Sequence, residues 1–301
     1  MESSLKANPV SPVLSEVRQS AEAHRSDSTQ VRTERRLSGA IMFGVPFLLV
    51  VVTFLFWYQT WFGRRLSGSE MRQYLTDASV PHKTQHALTQ VVTEIVQHDP
   101  RVKEVYPEIT ALAGNKEAGI RSMAAWAMGQ DTNSPEFHQA LLKLVADPEP
   151  VVRWNAALGL ARFGDASGEL ELIAMLHPFE LRAPSAGKLS VQVNRTDVVK
   201  SGQVLARIKS QTGGENEIRS PLAGTVKQLT AVDSALIDVG DEIAIIDPDD
   251  QQVQEGLVGL NLVGKSDALA EVDALMRPGN GVSDRVRAQA ELTAKAIRAR
   301  N

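Results

Sequence analysis

The stretch from Arg182 to Ile246 states one pattern twice, and that duplication limits what the chain can fold into. Its first half reads RAPSAGKL followed by VVKSGQVLARI, and its second reads RSPLAGTV followed by LIDVGDEIAII. Pro184 and Pro221 stand 37 residues apart, as do Gly187 and Gly224, while Gly202 and Gly240 differ by 38. Each half opens with a turn of Pro and small residues, enters an alternating strand, and reaches a Gly before a second strand. This is the pattern of hairpin-built sheet. Two such halves are expected to make one β module over residues 181–248.

A second periodicity surrounds it. IRSMAAW at Ile120, VRWNAAL at Val152 and VRAQAEL at Val286 share an apolar residue, then Arg, then Ala three residues after the Arg. Arg121 and Arg153 are 32 residues apart, but Arg153 and Arg287 are 134 apart, a gap that no solenoid accommodates. Removing the 68 residues of the β module leaves 66, or two repeats of 33. Gly164 and Gly264 repeat the relation at an offset of 100, each 14 residues before a Pro. The expected order is a helical array over 66–180, the β module, and a resumed array over 249–301. In that array the Ala residues allow close helix packing, and the arginines can hydrogen-bond loop acids such as Asp147.

The N-terminal residues 1–36 are rich in Ser, Glu and Arg and poor in large apolar residues, which predicts a disordered tail. Residues 37–63 carry no charge until Arg64 and Arg65, and Ala40 to Phe62 would make about 34 Å of helix against a hydrocarbon core of about 30 Å. Trp57, Tyr58 and Trp61 lie near its exit as an aromatic belt does. A cleaved signal peptide is the alternative, opposed by the long charged tail and the lack of an A-x-A site. This predicts a single-pass protein that contacts membrane lipid through 37–63, in a bacterial inner membrane, with its N-terminus cytoplasmic and the globular part exported.

Composition excludes several chemistries. The 301 residues contain no cysteine, which removes disulfides, thiolate zinc sites and cysteine-ligated clusters. A net charge of −4 with interspersed signs offers no basic face for nucleic acid. His82 and His86 share a helix face without the intervening acid of a metalloprotease, and no nucleophile signature is present. No catalytic residue, metal ligand or cofactor-binding residue is therefore expected, and no cofactor. GLNLVGKS at Gly259 to Ser266 satisfies the phosphate-loop pattern, but Leu260, Asn261, Leu262 and Val263 continue an apolar helical stripe where a wrapping loop would be needed.

The duplicated stretch resembles the biotinyl/lipoyl domain, of the kind also found in membrane-fusion-type adaptors, and the Arg-Ala strings resemble HEAT repeats of the PBS-lyase-like sort. Together with the anchor, the combination resembles uncharacterised bacterial HEAT-repeat membrane proteins. The resemblance implies a multi-domain α+β chain: one transmembrane helix, an α-solenoid of HEAT-type helix pairs, and an inserted lipoyl-like flattened β-barrel, or barrel-sandwich hybrid. It also implies that a carrier would hold its lysine at the tip between the halves. Here that tip is Gln211, Thr212, Gly213 and Gly214, with Lys209 at the strand end and no Met-Lys-Met surround. The function expected is a membrane-anchored, non-enzymatic scaffold or adaptor for a protein partner, with possible contacts at the tip and at Trp126 and Trp154. Arg121, Arg153, Arg287, Gly164 and Gly264 are assigned structural roles in the repeats. The alternatives are a membrane-fusion-type subunit of an envelope transport complex, or an apo-carrier or nucleotide-binding subunit through Lys209 or Lys265.

Overall fold

The structure is a computed structural model that describes residues 46–55, 65–77, 79–210, 213–279 and 281–300. The chain divides into two compact units, Met1–Arg65 and Leu66–Asn301. The expectation of a membrane-spanning helix fails: among the described residues no helix is long and apolar enough to cross a membrane. In the first unit, residues 46–55 are helical with exposed apolar side chains such as Phe47 and Leu48. At about 1.5 Å per residue that stretch covers about 15 Å, half of the hydrocarbon thickness. The single-pass, inner-membrane placement is withdrawn with it. The rest of 37–63 and the tail over 1–36 lie outside the described residues.

The second unit begins with helices. α1 (Gly68–Thr76) starts at a capping box formed by Ser67 and Glu70, and α2 (Pro81–Val96) starts on a proline that needs no backbone donor there. A 3-10 turn, Pro100–Val105, leads into α3 (Tyr106–Ala111). α4 (Ala118–Met128) and α5 (Pro135–Leu144) form one pair, and α6 (Pro150–Arg162) and α7 (Glu169–Ala174) the next. After the strands, α8 (Asp250–Val263), α9 (Leu269–Leu275) and α10 (Asp284–Arg300) resume the pattern. Asp249 caps α8 through the Gln252 amide at 2.9 Å.

Between α7 and α8 lie eight strands: β1 (Phe179–Arg182), β2 (Gly187–Val191), β3 (Val198–Val199), β4 (Val204–Lys209), β5 (Glu215–Arg219), β6 (Gly224–Leu229), β7 (Leu236–Ile237) and β8 (Glu242–Pro248). They make two antiparallel four-stranded sheets, ordered β1-β8-β6-β3 and β5-β4-β2-β7. Exchanging the two sequence halves converts one order into the other, so each sheet is completed by strands of the opposite half. The expected closed barrel is not found. The β3 and β7 edge strands are two residues long, so no continuous ladder joins the sheets among the described residues. The closure is made by side chains: Leu189, Leu205 and Ile208 of one sheet share an apolar cluster with Val226, Ile243 and Ile246 of the other.

The equivalent glycines Gly187 and Gly224 have a common packing reason. A Cβ on Gly187 would stand 2.5 Å from the Lys209 carbonyl oxygen, and one on Gly224 would collide with the Asp247 carbonyl oxygen. The obstacle is backbone in both halves, so it cannot swing away. Gly224→Ala should therefore lower unfolding free energy by about 1–3 kcal/mol, the usual cost of overpacking. Urea denaturation followed by circular dichroism reads this directly, and an unchanged midpoint would refute the packing account.

Candidate functional site

The repeat arginines act first on their own loops. Arg121 donates from Nη1 to the carbonyls of Asn115 and Lys116 at 2.9 and 3.1 Å, and Arg153 donates likewise to Asp147 and Pro148 at 3.0 Å each. Arg121 also grips Asp147 with Nε and Nη2 at 2.7 and 2.8 Å, a nearly buried fork with side chains 12% and 7% exposed. Arg153 reaches Glu171 at 2.9 Å. Arg287 reaches Asp284 at 2.8 Å, but that carboxylate is wholly exposed. The three arginines thus hold the turns before their helices while facing solvent to different degrees.

Gly164 and Gly264 end helices by different means. Gly164 lies at φ +76°, the left-handed geometry that glycine adopts freely, with Asp165 N–H returning to the Leu160 carbonyl. Gly264 has φ −57° and donates to the Leu260 carbonyl; a Cβ there would meet that oxygen at 2.6 Å and Ile297 Cδ1 at 3.0 Å. Its need is space against α10, so the sequence equivalence conceals two causes. The phosphate-loop pattern around it is helical through Val263, and Lys265 N–H donates to Glu169 Oε1.

At the hairpin tip, Lys209 pairs in register with Glu215 across β4 and β5, and its side chain is exposed. Ser210 N–H donates to the Gly214 carbonyl at 2.8 Å, and Gly213 N–H to the Ser210 carbonyl at 3.1 Å. Gly213 takes φ +93°. Gln211 and Thr212 lie outside the described residues. Gly213 and Gly214 do not line the cavities that hold Trp126 and Trp154, which stand on helices. Trp126 is 37% exposed on α4, while Trp154 on α6 is 5% exposed and packs edge-on to Phe179 of β1 with centroids 5.8 Å apart. His82 and His86 are both exposed on α2, and no group of three metal-ligating side chains occurs among the described residues.

One row of residues escaped the sequence reading. The fifth residue after each signature arginine is Trp126, Leu158 or Leu292, and the matching position of α8 is Val258. These lie on consecutive first helices of the pairs; Trp126, Val258 and Leu292 are exposed and Leu158 is half-buried. The recurrence of apolar residues at one repeat position was the available signal.

Comparison with known proteins finds both kinds of element. Residues 106–178 match the family model for HEAT repeats, and residues 179–246 match that of the biotin/lipoyl domain, described as biotin-requiring enzyme. The chain therefore combines HEAT repeats with a biotin/lipoyl-type domain. No curated protein matches the chain. Among solved structures, one titled as a single-chain, multi-domain long-chain acyl-CoA carboxylase aligns at 16% identity, with a TM-score of 0.23. The alignment covers 42% of this chain and only 14% of the length of that protein, a likeness too slight to inform fold or activity.

The Arg121–Asp147 fork yields a stability prediction. Burial pushes the Asp147 carboxyl up, but the hydrogen bond from Arg121, the Glu149 N–H and the charges of Arg121 and Arg153 together hold it below the usual 3.8. A depressed carboxylate stabilises the fold fully above its unfolded value and loses that contribution as pH falls through the folded one. Wild type should thus lose stability on acidification below about pH 4, more steeply than Asp147→Asn in the same urea titrations. At neutral pH, Arg121→Ala should cost about 3–5 kcal/mol, since it strands a buried carboxylate. Arg287→Ala, whose partner is exposed, should cost less than about 1 kcal/mol through its ion pair. Equal costs for the two would contradict the burial argument.

Proposed function

We propose that the chain is a non-enzymatic scaffold that holds a protein partner against its HEAT helices, with the biotin/lipoyl-type module as a second, rigidly joined contact. The apolar row Trp126, Leu158, Val258 and Leu292 carries this reading. Exposed apolar residues scattered singly need no explanation, but Trp126, Leu158 and Val258 border one cavity and the same repeat position is Leu292 in α10, and solenoids use such recurrent faces to bind extended partners. The family match invites a carrier reading, and the residues do not fit it. The tip between the halves is Ser-Gln-Thr-Gly-Gly, and Lys209 is a ladder residue rather than a tip residue.

Cross-linking of the full chain in its native cells, followed by mass spectrometry, should recover partner peptides joined to α4, α6, α8 or α10. Trp126→Glu combined with Val258→Glu should reduce that yield at least about fivefold, as expected for an interface centre. Recovery of no cross-linked protein would refute the scaffold. Intact mass of the native protein should equal that of the unmodified chain; a biotinyl or lipoyl adduct on Lys209 would replace this reading with a carrier.

A further inference from the structure

The outer strands of the two sheets differ in what they leave open. β3 and β7 have two residues each, whereas β1 has four and β5 has five. β5 pairs with β4 alone. The Gly214 carbonyl accepts from Ser210 N–H, Ser220 N–H donates to the Gln203 carbonyl, and the Ser220 carbonyl accepts from Gly202 N–H. Gly214 and Ser220 thus turn these groups toward β4. Because backbone groups alternate in direction along an antiparallel strand, Glu215, Glu217 and Arg219 turn theirs outward, and all three residues are exposed. Among the described residues no strand pairs with this outer row.

The charges on this edge have a self-complementary order. Glu217 and Arg219 form an ion pair, and Arg219 Nη1 also donates to the Gly202 carbonyl at 2.7 Å. The same arrangement stands on β1, 37 residues earlier: Arg182 pairs with Glu180 at 2.6 Å and donates to the Gly240 carbonyl at 3.0 Å. Ala183 bonds to Gly240 and Asp241 as Ser220 bonds to Gly202 and Gln203, so Glu180 and Arg182 also face outward. A single sign of charge along an edge would repel a second copy, which is one way that sheets are kept apart. Glu-x-Arg does the opposite. Run antiparallel against itself, it sets each Glu across from the Arg of the other strand, and such pairs contribute about 0.2–1 kcal/mol each. Pro221, just beyond, has no N–H and ends the ladder.

We propose that β5 docks a second copy of this chain, the two β5 strands pairing antiparallel about a two-fold axis at Ile218. Glu217 of one copy lies across from Arg219 of the other, each such pair exchanges backbone hydrogen bonds, and the sheet continues from one module into the next. An edge paired with itself closes at two copies, whereas β5 set on β1 would run on into an open fibre. β5 also offers the longer outward row, while on β1 Phe179 is already packed against Trp154 of α6. The dimer goes beyond the scaffold reading and does not depend on it.

Sedimentation equilibrium of the full chain, over a concentration series reaching about 500 μM, reads the dimer directly. A short edge is a small contact, so the dissociation constant should lie at roughly 10–200 μM. Glu217→Pro should raise it at least about tenfold, because the N–H that it removes is one the partner needs. That N–H faces away from β4, so the module keeps its own ladder, and circular dichroism and melting should match wild type. Glu180→Pro, on the other edge, should leave the constant unchanged. Glu217→Arg sets Arg against Arg across the axis and should weaken the dimer, and adding Arg219→Glu should restore it to within about threefold of wild type. A chain that stays monomeric throughout the series would overturn the proposal. So would wild-type dimerisation by Glu217→Pro, a charge swap that restores nothing, or an equal loss through Glu180→Pro. Failure to recover a cross-linked partner on the helices would end the scaffold reading and leave this dimer standing.

Discussion

The second unit depends on one apolar cluster that crosses from helices into strands and back. It takes Trp154, Ala157 and Ala161 from α6, Leu172 from α7, both faces' inner residues from the sheets, Leu257 and Leu260 from α8, and Ala290, Ala294 and Ile297 from α10. Trp154 against Phe179 is the joint, since their edge-to-face contact adds about 0.5–1.5 kcal/mol to the area they bury. A flexible tether between repeats and module would leave these residues in water. The β module is consequently not a swinging arm but a fixture of the repeat array, sharing a core with the helices before and after it. That fixity supports the reading of a scaffold, because a surface assembled from two modules can recognise one partner only if their geometry is held.

Within the module, the duplicated sequence produces interlocked halves rather than two side-by-side hairpins. β4 pairs with β2 of its own half and β5 of the other, and β8 pairs with β6 and β1 in the same exchanged way. Neither half can bury its apolar face alone, so the two must fold together. The glycines at 187 and 224 permit the tightest approach in each half, where a strand's backbone meets the carbonyl of its neighbour. The two-residue edges at β3 and β7 leave little ladder open to unwanted pairing, which is how natural sheets limit edge association.

Much of this architecture was legible. Spacings of 32, 33 and 37 residues placed repeats and strands, because backbone architecture repeats where its apolar pattern repeats. What misled was any inference that needed more than pattern. An uncharged run from 37 to 63 was read as a span, but length and apolarity set only a permission, and the helical residues 46–55 cover too short a distance among those described. A barrel was read from family resemblance, whereas closure depends on edge-strand length, which alternating patterns of two or three residues do not reveal. Gly264 was matched to Gly164 by position, though one satisfies a neighbour's bulk and the other a left-handed turn.

Helix α6 illustrates why sites are harder to read than folds. Trp154 was named as a partner contact, yet it is core: its ring fills the joint with the β module, and its buried nitrogen finds no acceptor among the described residues. Periodicity reports which face of a helix is buried and says nothing of whether a buried donor finds an acceptor. Arg162 occupies the repeat position that is Leu262 in α8 and Gln130 after α4, so no repeat rule demanded a charge there. Arg162 is exposed, so water solvates its charge and the fold bears little cost for it.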